Sequence, residues 1–143
     1  MELEARRLVK KGKKTKLFSI MKKKGRTRLS SGVWAKALER DDKMATRLID
    51  RAVWALGLAA ASAENLLDVE AIVIGGGLGC RLGAPFAERI RAAMIPHLIL
   101  PEKAPQVLSA ALGDLGGAMG AALRVEHTIA PSEELGAVAD PDA

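Results

Sequence analysis

The segment Ala71–Gly79, with the sequence AIVIGGGLG, constrains the fold of this chain more than any other. Its first four residues are apolar and rich in β-branched side chains, which is typical of a short buried strand. Three glycines then end the strand, and an apolar, helix-like segment begins a few residues later. A strand, a glycine turn and a helix in this order form the edge at which α/β proteins bind nucleotides.

Gly75, Gly76 and Gly77 are the candidate nucleotide-binding residues, because a ligand can approach a backbone that carries no Cβ. A tight strand-to-helix turn without any ligand would use the same residues. Two common phosphate-binding motifs are excluded. A G-x-G-x-x-G pattern would need glycine at Cys80 or Leu82, and no G-x-x-x-x-G-K-[ST] loop occurs.

The composition predicts a single domain with an aliphatic, alanine-rich core, since only four of the 143 residues are aromatic. The single cysteine, Cys80, excludes an intramolecular disulfide and a cysteine-clustered zinc site. No apolar run is long enough to span a membrane, and no apolar segment follows the basic N-terminus as in a signal peptide. We therefore expect a cytoplasmic protein with no membrane partner.

Charge is distributed unevenly along the chain. Residues 1–28 contain twelve Lys and Arg against two Glu, whereas the remaining residues carry a net charge of −5. Such a basic segment is typical of a solvated helix face, but it could also bind nucleic acid or an acidic partner. Because Phe18 is the only aromatic residue among the lysines, a platform for stacking single-stranded bases is poorly supported.

Apolar spacing predicts a helix-rich α/β protein. Asp41 is the predicted N-cap of the longest helix, whose second half, Leu56–Ala63, is almost entirely apolar and should be buried on most sides. Pro85 suits the first turn of a later helix. Two apolar strands are too few for an independent sheet, so further strands are expected. The predicted helices cover about residues 2–11, 17–24, 33–39, 42–65, 85–95 and 115–125, and the predicted buried strands cover 71–74 and 106–112.

Several segments, in this order and spacing, resemble the C-terminal part of proteins of the ROK family, which comprises sugar kinases, glucokinase-like enzymes among them, and sugar-responsive repressors. The resemblance covers about residues 30–125 and, more weakly, the basic segment before them. The matching segments are Asp42–Ala45, Leu56–Gly57, Asn65–Asp68, Ile72–Gly77, Ala111–Asp114 and Gly117–Ala122.

The resemblance implies the C-terminal lobe of a two-lobed, actin-like ATPase (ribonuclease H-like) fold that holds nucleotide between its lobes. It also implies ATP with Mg²⁺ as cofactor, with Gly75–Gly77 beside the adenosine. The family's phosphate-binding Asp-x-Gly-x-Thr turn, base aspartate and His/Cys zinc cluster have no counterpart in these residues. Asp114 is better explained as a turn or cap residue than as the base. We therefore expect no catalytic residues and no metal ligands in this chain.

The resulting hypothesis is an incomplete, nucleotide-side lobe of an ATP-dependent hexose kinase, inactive alone. Its expected partners are the missing N-terminal lobe or a partner chain, together with further copies of itself. The alternatives are a non-catalytic ROK regulator fragment and a small basic protein that binds nucleic acid or another partner. The sequence divides into a basic helical head (residues 1–29), a ROK-like lobe (30–125) and a loose tail (126–143).

Overall fold

Six α-helices and two strands form within residues 1–129, the part of the chain that the computed structural model describes. The prediction of a helix-rich α/β protein is confirmed. In chain order the elements are α1 (Glu2–Lys10), α2 (Leu17–Lys23), α3 (Ser31–Leu38), α4 (Lys43–Leu67), β1 (Ala71–Ile74), α5 (Gly76–Met94), β2 (Gln106–Ser109) and α6 (Gly116–Ile129). Short 3₁₀ turns cover Ile95–His97, Pro101–Lys103 and Gly113–Leu115.

The two strands pair in parallel, with Ala71 opposite Gln106 and Ile74 opposite Ser109. Helix α5 provides the crossover between them, as a parallel pair requires. The prediction that both strands are buried is wrong. Along β1 the residues alternate between exposed and half-buried, and in β2 only Val107 is buried. The physical reason is that a helix covers one face of the sheet, while the other face has no cover among the described residues.

Helix α4 begins one residue later than predicted, because its N-cap is Asp42 rather than Asp41. The Asp42 carboxylate accepts a hydrogen bond from the backbone N–H of Ala45 at 2.8 Å. Asp41 instead adopts a left-handed conformation with φ of 52°. Only the second aspartate therefore has the extended backbone that a side-chain cap requires.

The second half of α4 is far more exposed than its sequence predicts. Within Leu56–Ala63, only Gly57 and Ala61 are buried, and the Leu56 and Leu58 side chains face solvent. Trp54, just before this segment, is 56% exposed. An apolar helix is buried on all sides only when neighbours cover every side, and the described residues cover one stripe of α4.

Helix α5 is broken at Gly83, whose φ of 62° and ψ of −152° lie outside the helical region. The break explains why Pro85 is tolerated, since it starts the second part of the helix as predicted. In this second part Phe86, Ile90 and Met94 point into the core. The first part, residues 76–82, is also helical and begins earlier than predicted, inside the glycine run that was expected to form a turn.

One hydrophobic core connects the head to the sheet. It contains Ala5 of α1 and Leu17 of α2 together with Ile49, Ile90 and Val107. The proposed division at residue 29 stays a prediction, but side chains on both sides of it share this core. No helix within residues 1–129 combines the length and the apolar character that crossing a bilayer requires.

The C-terminal boundaries also shift. Strand β2 ends at Ser109 rather than Leu112, and α6 continues to Ile129 rather than ending near Val125. Most of the predicted loose tail, residues 130–143, lies outside the described residues.

Candidate functional site

Gly75, Gly76 and Gly77 join the end of β1 directly to the start of α5. Gly75 is the N-cap of α5 and has an extended backbone, with φ of −108° and ψ of −166°. Gly76 has φ of 76°, a left-handed value that favours glycine. Gly75 is therefore the single residue between β1 and α5, and the helix begins inside the glycine run.

The space in front of this junction is open. A Cβ placed on Gly76 would meet no heavy atom within 4 Å, and one on Gly75 would meet only Ala110 Cβ at 3.8 Å. All three glycines of the run are exposed. The backbone is therefore open to close approach here, and the nucleotide-binding role of these residues stays a prediction.

Gly79 has a packing role instead. A Cβ at this position would lie 2.9 Å from Ile74 Cγ2, closer than side chains tolerate. The absence of a side chain at Gly79 thus lets the first turn of α5 pack against the end of β1. This holds the glycine junction in a fixed position relative to the sheet.

Helix α3 forms the second wall of the candidate site. A Cβ on Gly77 would lie 3.4 Å from Ser31 Oγ, at the start of α3. The Arg81 guanidinium of α5 donates to the same hydroxyl over 3.4 Å, and Lys24 Nζ donates to the carbonyl of Gly32 at 3.0 Å. The Ser31 hydroxyl therefore lies beside the glycine junction, with Arg81 next to it and Lys24 on the other side of Gly32, a combination suited to an anionic ligand.

Sequence reasoning did not identify Ser31, Arg81 or Lys24 as site residues. Ser31 lies 44 residues before the glycine run, and only the packing of α3 on α5 brings it there. The one sequence signal is the serine pair Ser30–Ser31, which precedes the predicted helix at residues 33–39 and is typical of a helix cap. In the structure Ser30 is the N-cap residue of α3, although its side chain makes no capping hydrogen bond.

Histidine and carboxylate side chains were the other candidates for chemistry in this chain. Within the described residues, no group of three or more His, Cys, Asp or Glu side chains could hold a metal ion. The backbone of Asp114 lies in the 3₁₀ turn Gly113–Leu115, and its side chain lies outside the description. His97 is exposed, and its carbonyl accepts a hydrogen bond from Asn65 Nδ2 at 2.9 Å. His97 therefore helps to attach the end of α4 to the following turn.

Comparison with known proteins identifies one family. Residues 18–128 match the ROK family, which is most of the chain and includes the glycine junction, α3 and Arg81. No curated protein matches the chain. The match begins at Phe18, inside the segment that the sequence analysis set apart as a basic head.

Proposed function

The chain belongs to the ROK family, and from that premise we propose that it is the nucleotide-side, C-terminal lobe of an ATP-dependent, glucokinase-like hexose kinase. The family includes both sugar kinases and regulators. The candidate site at the glycine junction is therefore the reason for proposing a kinase lobe rather than a regulator lobe. The observation that carries the proposal is the open backbone at Gly75 and Gly76 beside the polar wall of α3 and α5.

The bare backbone at Gly75 and Gly76 would lie against the adenosine. Arg81 and Lys24 would supply positive charge towards the phosphate chain, with the Ser31 hydroxyl between the glycine run and Arg81. Mg²⁺ bound together with ATP would neutralise charge on the phosphates.

Phosphoryl transfer to a sugar also needs a carboxylate near the attacking hydroxyl and a phosphate-binding turn. These 143 residues contain no Asp-x-Gly-x-Thr pattern. We therefore assign binding and orientation of the nucleotide to this chain, and proton removal from the sugar to a complementary lobe. Alone, the chain should bind Mg-ATP weakly and transfer no phosphoryl group to glucose.

Substitution of Gly75 by valine tests the nucleotide site. Gly75 has an extended backbone and open space before it, so the Gly75→Val variant should fold normally. The valine side chain should nevertheless fill the volume proposed for adenosine. We expect Mg-ATP affinity to fall at least tenfold in an isothermal titration. The melting temperature should change little.

Gly120→Val is the matched control, since Gly120 also has open space but lies in α6, one turn beyond the start of the helix. It should leave the affinity for Mg-ATP unchanged. Equal affinity for Mg-ATP in the Gly75→Val variant and the unmodified chain would contradict the proposed site. Phosphorylation of glucose by the pure chain would contradict the assignment of catalysis to another lobe.

A further inference from the structure

We propose that the basic head binds peripherally to a bilayer surface that contains anionic phospholipids, through a groove between α1 and α2. The proposal goes beyond nucleotide binding and does not depend on it. It departs from the expectation of no membrane partner, which considered only a spanning segment and a signal peptide. The groove, called here the head groove, is lined by Leu3, Arg6, Arg7, Val9, Lys10 and Phe18.

Leu3 lies on the exposed face of α1. It is 84% exposed, more than any other large apolar side chain that the structure describes. Arg7 and Lys10 follow four and seven residues later, so they share this face of the helix with Leu3. On the opposite face, Ala5 is fully buried in the core. Helix α1 is therefore attached to the fold by one face, while its other face presents an apolar side chain among cations.

The positive charge beside the head groove has no matching carboxylates. Four exposed lysines lie at the end of α1 and in the turn before α2: Lys10, Lys11, Lys13 and Lys14. None of them is ion-paired within residues 1–129, because the two glutamates of the head pair with Arg6 and Arg7. Residues 130–143 contain four acidic side chains, too few to neutralise a segment with twelve Lys and Arg against two Glu. The head therefore carries an excess of positive charge that a partner can neutralise.

The head groove differs from the other exposed apolar surfaces of the chain. The second half of α4 exposes Trp54 and Leu66, but residues 54–68 contain no Lys or Arg, which suits a surface that another protein lobe covers. A lobe that covered the head groove would bury Arg7 and the neighbouring lysines, and burying cations costs free energy unless each gains a partner. An incomplete lobe therefore accounts for the uncovered side of α4 but not for the head groove.

An anionic bilayer surface matches both properties of the head groove. Apolar side chains enter the boundary between headgroups and acyl chains, while Lys and Arg keep their charged ends at the lipid phosphates. A nucleic acid would contact the cations but would leave Leu3 and Val9 in water. It would also find no open ring for base stacking in residues 1–29, because Arg6 lies over Phe18, 5.2 Å from the ring centroid. Apolar exposure and positive charge together therefore favour a lipid surface.

Co-sedimentation of the full chain with vesicles tests the requirement for charge. The chain should bind vesicles of phosphatidylcholine with about 30% phosphatidylserine, and should bind pure phosphatidylcholine at least about tenfold more weakly. The double variant Lys13→Gln/Lys14→Gln should lose at least about tenfold in affinity for the anionic vesicles, since each basic residue near the surface contributes roughly fivefold. The control Lys43→Gln/Lys103→Gln removes the same charge outside the head and should change the affinity less than about twofold.

Leu3→Ser tests insertion of the apolar side chain. Because Leu3 is exposed, this variant should fold normally but bind the anionic vesicles at least about fivefold more weakly. Leu66→Ser is the matched control, since Leu66 is 82% exposed outside the head, and it should bind like the unmodified chain. The proposal would be overturned if the chain did not bind the anionic vesicles, or if both serine variants bound them equally. Tighter binding of an oligodeoxythymidine strand than of the vesicles would also overturn it, and would make the head a nucleic-acid surface.

Discussion

Replacing Asp42 with alanine is expected to lower the free energy of unfolding by about 3 kcal/mol. The buried carboxylate caps α4 through Ala45 and also accepts the Thr15 hydroxyl at 3.0 Å and the backbone N–H of Lys16. The loss of the cap costs about 1 kcal/mol, and a partly buried N–H left without an acceptor costs about 1–3 kcal/mol more. Thermal unfolding followed by circular dichroism measures the loss, with an expected fall in Tm of about 10 °C.

The pH dependence of stability identifies the ionised form of Asp42 as the stabilising one. Burial, the largest single influence, raises the pKa of Asp42, but hydrogen bonds from the Lys16 and Ala45 N–H groups and the Thr15 hydroxyl outweigh it and lower the pKa. Because this pKa is lower in the folded than in the unfolded state, Asp42 stabilises the fold at neutral pH. The contribution is lost as the pH falls below about 4.

Asp41→Asn is the control for both measurements. Asp41 is exposed, and asparagine tolerates its left-handed backbone. This variant should unfold within about 0.5 kcal/mol of the unmodified chain and keep the same acid dependence. If Asp41→Asn destabilised the fold as much as Asp42→Ala, the assignment of the cap to Asp42 would be wrong.

Substituting Gly57 by alanine is expected to destabilise the fold by about 2 kcal/mol. A Cβ at Gly57 would lie 2.6 Å from Ala93 Cβ and 2.9 Å from the backbone nitrogen of Met94, so α4 and α5 would have to separate. Overpacking of this kind costs about 1–3 kcal/mol and outweighs the better helix propensity of alanine. Chemical denaturation with urea measures the change.

The same substitution at Gly120 in α6 is not expected to destabilise the fold. It has no heavy atom within 4 Å of an added Cβ, so Gly120→Ala should be neutral or should stabilise by up to about 1 kcal/mol. Adding Ala93→Gly to the Gly57→Ala variant should restore part of the lost stability, because it removes the shortest contact. Equal effects of the two alanine substitutions would show that α4 and α5 do not cross closely at Gly57.

Local sequence signals predicted most elements but not which surfaces are covered. Apolar spacing located the helices, and Pro85 correctly indicated a helix start. The start of α4 was misplaced by one residue, because two adjacent aspartates have equal capping propensity and only the positive φ of Asp41 separates them. Helix α5 was also predicted to begin too late, since the glycine run suggested a turn ahead of the helix.

Burial was the property that sequence reasoning predicted worst. Leu56–Ala63 and Ala71–Ile74 are apolar enough for a core, yet the described residues cover only part of each segment. An apolar segment is more stable when it is buried, but its sequence does not show whether another helix or strand covers it. That depends on how the rest of the chain packs. Leu66, 82% exposed at the end of α4, shows the same discrepancy. In the candidate site, Gly75–Gly77 could be selected from sequence, whereas Ser31 and Arg81 depend on the packing of α3 against α5.

The most direct test of the proposed function is a ¹H–¹⁵N correlation spectrum of the full chain during titration with Mg-ATP. If the chain is the nucleotide-side lobe of a kinase, the largest shifts occur at the amides of Gly75–Gly77, Ser31 and Arg81, with weak, saturable affinity. Shifts confined to the lysine-rich segment Lys10–Arg28 that vanish as salt is raised would contradict this, and would instead indicate that the chain binds anions through its basic head. A spectrum without any shift would contradict nucleotide binding altogether.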